Sequence, residues 1–342
     1  MKRLLRRAAV RAILTILRPI YSGLGTIVCL HRVVDRSESF RISSNTALEI
    51  SSKGLETLIQ HVLARRFEVV TLDEVCTILQ NRERRKKFVA FTFDDGYLDT
   101  LHTALPIFQK YGLPLTVNLT TDFVENPAKI WWYRLERVLI QRNSLTFQLG
   151  GEKRTLEALT SSQKNSAFDA IARVVRGMVK EHRDEFLNQL FNQNPVSGSD
   201  ERLTMNWNEI RQLASDMRVT FGAHSVSHCD FNQMTDDQVL FEMNESRAII
   251  QRQTGRKVEH FAYPFGGRNS VGSREFALAK CCGFKTALTL RNANLFPSHA
   301  ANMECLPRIS VSGNYPIRAR FDLLQSGALA AFSYRFRRTI TD

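Results

Sequence analysis

Phe91-Thr92-Phe93-Asp94-Asp95-Gly96-Tyr97 closes an apolar run that begins at Phe88. An uncharged run ending abruptly in two carboxylates and a glycine predicts a buried strand. Its carboxyl end would deliver both acids to an open mouth, and Gly96 would let the chain turn sharply behind them. Two carboxylates packed side by side repel, so keeping both ionised calls for a compensating positive charge, and a metal cation supplies it. The same residues would also serve as an N-cap for a helix over Tyr97 to Tyr111.

Working outward, strands and helices alternate on both sides. Strands are expected at Thr26 to Val34, Glu68 to Leu72 and Pro114 to Thr120, with helices over Ser51 to Phe67 and Asp99 to Tyr111, the second closed by Gly112. The rhythm breaks over 122–202. That stretch holds an aromatic helix (Ile130 to Ile140), a hairpin around Gly150-Gly151, polar helices up to Phe191 and a loop over Asn194 to Asp200. It resumes with a helix at Trp207 to Ala214 and a strand at Val219 to Ala223. A long helix follows over Asp236 to Gln253, capped by Thr235 and stopped at Gly255. Then come a strand at Glu259 to Tyr263, a helix at Arg274 to Cys282 and a strand at Phe284 to Leu290. This is the pattern of an α/β protein with about seven strands in a parallel sheet or barrel.

Two further strand ends carry chemistry. Val219 to Ala223 runs into His224-Ser225-Val226-Ser227-His228, histidines four apart that would share one face of a helical turn. Two neutral imidazoles and one carboxylate are a common zinc ligand set that leaves a position open for water. Phe261-Ala262-Tyr263-Pro264-Phe265-Gly266-Gly267 is again a strand running into a turn, and such a turn can expose a backbone N–H as an oxyanion donor. In a parallel α/β architecture all these ends open on one side.

The chain has 342 residues and a net charge of +13, concentrated at its ends. Lys2, Arg3, Arg6, Arg7, Arg11 and Arg18 precede the first acid, and Arg335, Arg337 and Arg338 lie near the last residue. Leu4, Leu5, Ala8, Ala9, Ile13, Leu14, Leu17 and Ile20 recur at roughly helical spacing between those arginines. The expectation is an amphipathic helix on an anionic membrane surface, or one docked on the protein's own body. Neither a spanning helix nor a signal peptide is expected: Arg11 interrupts an apolar run that is already short. No zinc-finger spacing or RNA-binding aromatic signature points to nucleic acid. The six cysteines form no CxxC pair, and Cys29, in an apolar strand, fits a reduced thiol and a reducing compartment. Trp131, Trp132 and Tyr133 are expected to pack the insertion onto the main domain, with a sugar-binding or membrane contact as the alternative.

TFDDG, HSxxH and YPFG, in this order, resemble the polysaccharide deacetylase family, carbohydrate esterase family four, over roughly 26–310 without the insertion. The resemblance implies a distorted (β/α) barrel with a divalent metal, usually Zn2+ with Co2+ or Ni2+ as alternatives, at its mouth. It assigns Asp95, His224 and His228 to the metal, Asp94 to the catalytic base and the Phe265 backbone to the oxyanion. Two positions depart from the family. Ala262 stands where an arginine usually orients the base, and Arg308 is the candidate replacement. The general acid is expected to be His31, as in the branch whose acid-bearing strand has moved to the N-terminal end, rather than His299. His61, His102, His182 and His260 are expected to be surface or packing residues.

The expected organisation is a basic amphipathic helix over 1–25, a barrel over 26–121 and 203–312, the insertion over 122–202 and a basic C-terminal segment over 313–342. The expected substrate is an N-acetylated glycan or lipid-linked sugar, handled at the cytoplasmic face. Three other readings share these residues: a different amide or ester deacylase on the same scaffold, a non-catalytic glycan-binding module, and a membrane-surface structural protein organised by its basic ends.

Overall fold

The computed structural model describes residues 16–35, 40–81, 86–126, 130–197 and 201–341. Its strands are β1 (Gly25–Leu30), β2 (Arg32–Val33), β3 (Glu49–Ile50), β4 (Glu68–Val69), β5 (Phe88–Phe93), β6 (Leu115–Leu119), β7 (Ser144–Leu149), β8 (Glu152–Glu157), β9 (Val219–Ala223), β10 (His260–Ala262), β11 (Thr286–Leu288) and β12 (Ile309–Ser310). Seven of them form a curled parallel sheet in the order β11-β10-β9-β6-β5-β1-β12, and short β4 also pairs with β5. A parallel bridge between Leu288 and Leu306, just ahead of β12, draws the two edges together. This is the expected distorted (β/α) barrel.

β1 and β5 are buried along their whole length, as a parallel strand covered on both faces must be. Alternation then sorts their side chains. Val28, Leu30, Val89, Phe91 and Phe93 join the large core beneath the outer helices. Ile27, Phe88 and Ala90 turn the other way and meet Ala262, Leu288 and Leu306 in a separate apolar cluster. One step further along the strands come Cys29 and Thr92, and this level is polar: Arg308 donates to Thr92 Oγ1 at 3.1 Å and to Asp94 at 2.8 Å. The barrel therefore carries an apolar plug with a charged layer above it, and the acids stand on that layer.

Several local expectations are corrected. The first strand stops at Leu30, and Arg32 and Val33 pair instead with Glu49 and Ile50. The strand at Glu68 ends at Val69. Thr71 and Glu74 exchange capping bonds, Thr71 N–H to Glu74 Oε2 at 2.7 Å and Glu74 N–H to Thr71 Oγ1 at 3.2 Å, and start an unexpected helix at Leu72–Asn81. The acids of β5 cap no helix. The helix behind them opens with a π-turn at Thr100–Ala104, and Asp99 is held by Arg32 and the Val33 N–H.

Between β6 and β9 the helices Trp131–Gln141, Ser161–Arg176 and Lys180–Gln193 and the β7–β8 hairpin share one apolar core. Tyr97 of the barrel and Phe123 of the short helix Thr121–Glu125 belong to the same core. Trp131 and Trp132 are buried in it, as packing residues would be, and both also line the cavity at the barrel mouth. The C-terminal segment forms two helices, Ile317–Gln325 and Ala328–Ser333. Gly327 separates them at φ 73°, where a Cβ would lie 2.0 Å from Tyr21 O. Of the expected N-terminal helix, 16–21 is helical, while 1–15 lies outside the described residues.

Candidate active site

The carboxyl ends of β1, β5, β9 and β10 bring His31, Asp94, Asp95, His224, His228 and Phe265 into one cavity of about 970 Å³. Its floor is the barrel mouth. Its opposite wall comes from the insertion, through Trp131, Trp132, Phe168 and Arg176.

Asp94 and Asp95 are both buried but live in different fields. Asp94 accepts from Arg308 Nη1 at 2.8 Å and Asn118 Nδ2 at 2.7 Å, and its second oxygen lies 2.8 Å from Arg308 Nη2. Burial opposes its ionisation, yet the Arg308 guanidinium outweighs burial and holds the carboxyl well below its usual range. The neighbouring Cys29 thiol points at Asp94 Oδ2 from 3.4 Å, and burial pushes that thiol well up. Asp95 has no such cation. Burial, reinforced by the Asp94 charge, pushes its carboxyl well above the ordinary value. Its φ is 74°, a strained value for a side chain other than glycine, held by its surroundings.

Asp95 Oδ1 lies 3.5 Å from His224 Nε2 and 3.4 Å from His228 Nε2. Burial holds both imidazoles below their ordinary pKa, so both are neutral. The His224 Nδ1–H donates to Ala262 O at 2.7 Å, which leaves the Nε2 lone pair facing Asp95. Asp95 Oδ1 itself is buried with no hydrogen-bond partner. A carboxylate oxygen in that state is costly unless something positive sits beside it. One carboxylate and two neutral imidazole nitrogens converging on an otherwise unsatisfied oxygen fit a divalent cation. Cys29, His31 and Asp94 also lie close enough to share an ion. Their chemistry does not suit one, because both Asp94 oxygens are already held by the Arg308 guanidinium.

The histidines do not share a helical turn. Ser225 and His228 take φ values of 68° and 52°, and 224–228 is a loop tied down from several sides. Glu242, buried on the helix Asp236–Thr254, accepts from the Val226 N–H at 2.7 Å, the Ser227 N–H at 2.8 Å and the Ser227 hydroxyl at 2.7 Å. Ser225 Oγ accepts from the His228 N–H at 3.0 Å. Arg183, on the insertion helix Lys180–Gln193, donates to Ser227 O at 3.0 Å. The His228 ring stands among Phe123, Trp132, His224 and Phe265, with centroid separations of 5.5, 5.7, 5.0 and 4.9 Å.

Phe265 sits at φ 60°. Among the described residues its N–H donates to no acceptor, the state an oxyanion donor requires. His31 lines the cavity, and burial lowers its pKa to about 4 against the opposing pull of Asp94. His299 does not line it. That ring is fully buried and accepts the Phe296 N–H at Nδ1, 2.9 Å away.

Glu242, Arg183, Asn118 and the Trp132–Tyr97 pair were not singled out from the sequence. Trp132 Nε1–H donates to Tyr97 Oη at 3.1 Å. One signal was available: Asn118 is an amide inside the apolar strand β6, and Gly222 of β9 opens the space it fills, since a Cβ there would fall 2.1 Å from Asn118 Oδ1.

Residues 81–286, more than half of the chain, match the polysaccharide deacetylase family, and the chain belongs to it. A putative polysaccharide deacetylase of Bacillus subtilis, YxkH, is 32% identical over 77 residues, which span 22% of this chain and 28% of that protein. The match thus reaches less than a third of that relative's length. Among solved structures, the Streptococcus pyogenes deacetylase PplD in complex with acetate is similar at a TM-score of 0.57 and 18% identity, covering 88% of this chain and 96% of that one. IcaB from Ammonifex degensii gives 0.55 and 16%, covering 89% and 97%. At these identities the likeness concerns the fold.

Proposed function

We propose that the chain is a metal-dependent deacetylase that hydrolyses the acetamide of N-acetylated sugars in a glycan or lipid-linked saccharide at the cytoplasmic face. One observation carries the reading: Asp95 Oδ1 is buried without a partner between two neutral imidazoles. An ionised carboxylate, Asp94, stands beside them at the floor of the same cavity.

Asp95, His224 and His228 would hold the cation. Bound there, it supplies Lewis acidity, lowering the pKa of water toward about 7 and polarising a carbonyl. Asp94 accepts the proton of the attacking water. Because Arg308 keeps it ionised, it is ready as a base at neutral pH. The Phe265 N–H donates to the acetyl oxygen as charge gathers there. His31 delivers a proton to the departing amine, since an amide nitrogen leaves poorly unless protonated. It is neutral in the resting site. Negative charge developing on the substrate raises its proton affinity, so it takes up a proton from solvent and passes that proton to the leaving nitrogen. Asp94 keeps the proton taken from water and releases it to solvent afterwards.

Acetate release from a panel of N-acetylhexosamine glycans and lipid-linked precursors, with and without chelator, tests this. Release should stop with chelator and return with Zn2+. Asp94→Asn should bind metal yet lose about 10²-fold or more in rate, and His228→Ala should lose metal and activity together. Full activity in Asp94→Asn would end the proposal.

A further inference from the structure

We propose that residues 16–21 and 328–338 form a docking face for a bilayer that carries anionic lipid. The two segments are neighbours. The Tyr21 hydroxyl donates to Phe336 O at 3.1 Å, the Tyr21 and Phe336 rings lie 6.2 Å apart, and Phe332 lies 5.5 Å from Phe336. Ile16 is 66% exposed, Phe332 57% and Phe336 54%, with Ile20 and Leu329 exposed beside them. Leu329 and Phe332, three residues apart on one short helix, share a face.

These side chains are held out rather than left loose. Arg335 and Phe336 both take left-handed backbone conformations, with φ 50° and 64°. The Phe336 N–H is bonded to Ala331 O at 2.6 Å. Beneath them Ala293, Ala330, Tyr334 and Ile340 form a small buried cluster of their own. Strained backbone that presents aromatic rings to solvent persists only where the rest of the fold enforces it.

The charge chooses the occupant. Arg335, Arg337 and Arg338 are exposed around the rings, and 1–22 contains no acid. Asp322 and Asp342 are the acids within 313–342 against five arginines, and Asp322 is paired with Arg65 and His61. A second copy docking through this face would set cation against cation across a two-fold axis. An anionic bilayer instead takes the rings at the acyl boundary and the guanidinium groups at the phosphates. Arg268, which lines the cavity, lies 4.5 Å from the Tyr334 ring centre, so one cavity-lining side chain reaches the docked segment. The inference does not depend on the chemistry performed there.

Vesicle flotation of the full chain tests it, with phosphatidylcholine alone and with added phosphatidylglycerol. Binding should require the anionic lipid and weaken with salt. Phe332→Ala/Phe336→Ala and Arg335→Ala/Arg338→Ala should each weaken it about tenfold. The rings and guanidinium groups are exposed, so circular dichroism should show both variants folded. Equal binding to neutral vesicles, no binding at all, or unchanged binding in both double variants would overturn the proposal. So would a dimer in solution that the phenylalanine pair dissolves.

Discussion

Arg308 is the residue on which the charge pattern of the site turns. The family resemblance places an orienting arginine at position 262, where this chain has Ala262, buried in the apolar plug. The cation arrives instead from the start of β12 and is fully buried against Asp94. Asp94 and Asp95 would otherwise be two equivalent buried acids. Arg308 breaks that equivalence by ionising one and leaving the other to a cation. Arg308→Met should therefore leave metal content intact and cut turnover by about 100-fold or more. It should also lower stability by roughly 3–5 kcal/mol, because an unpaired carboxylate remains inside the barrel. Turnover, metal content and urea unfolding measured together check this; a rate within twofold of the parent would show that Asp94 needs no such partner.

At the scale of elements, the loop 224–228 is the least self-sufficient part of the site and the most heavily braced. Glu242 satisfies two of its backbone N–H groups and a hydroxyl at once. Glu242→Gln keeps the size but replaces an acceptor with a donor that faces backbone N–H groups. Metal affinity should fall about 10–100-fold while far-UV circular dichroism stays unchanged, and unaltered affinity by metal titration would show that the loop holds itself. The same loop shows where the sequence stopped being readable. Acids and histidines at strand ends announce themselves by residue type, so the cluster of Asp94, Asp95, His224 and His228 was legible. The path of the backbone between the histidines was not. Ser225 and His228 adopt positive φ in a loop gripped by Glu242, by Arg183 and by the Thr121 N–H, which donates to Ser225 O at 3.3 Å; these are three distant segments, and no local pattern encodes that. The helix Leu72–Asn81 is a different case: its capping pair Thr71 and Glu74 stood in the sequence, hidden behind a β-rich run from Phe67 to Leu72.

Across the whole molecule, the candidate site residues gather at the carboxyl ends of the β-strands, whereas His299 lies outside that cavity. It sits in the turn Pro297–Ala301, packed against the Phe296 ring with a centroid separation of 6.3 Å. Burial lowers its pKa from 6.5 to about 4. Between those values the unfolded chain binds a proton that the folded chain refuses. The contribution of His299 to stability is therefore full above pH 6.5, falls as pH drops through the window and levels off near pH 4. The loss amounts to about 3 kcal/mol. His299→Asn keeps an acceptor for the Phe296 N–H but cannot titrate. It should be less stable than the parent at pH 7.5, where the lost ring leaves a gap, and should close on it as pH falls toward 4. Urea unfolding of both proteins at pH 7.5, 6, 5 and 4 measures the two curves. Parallel curves would mean that this imidazole is protonated in the folded barrel as readily as in water, and converging ones that the barrel excludes the proton by burial alone.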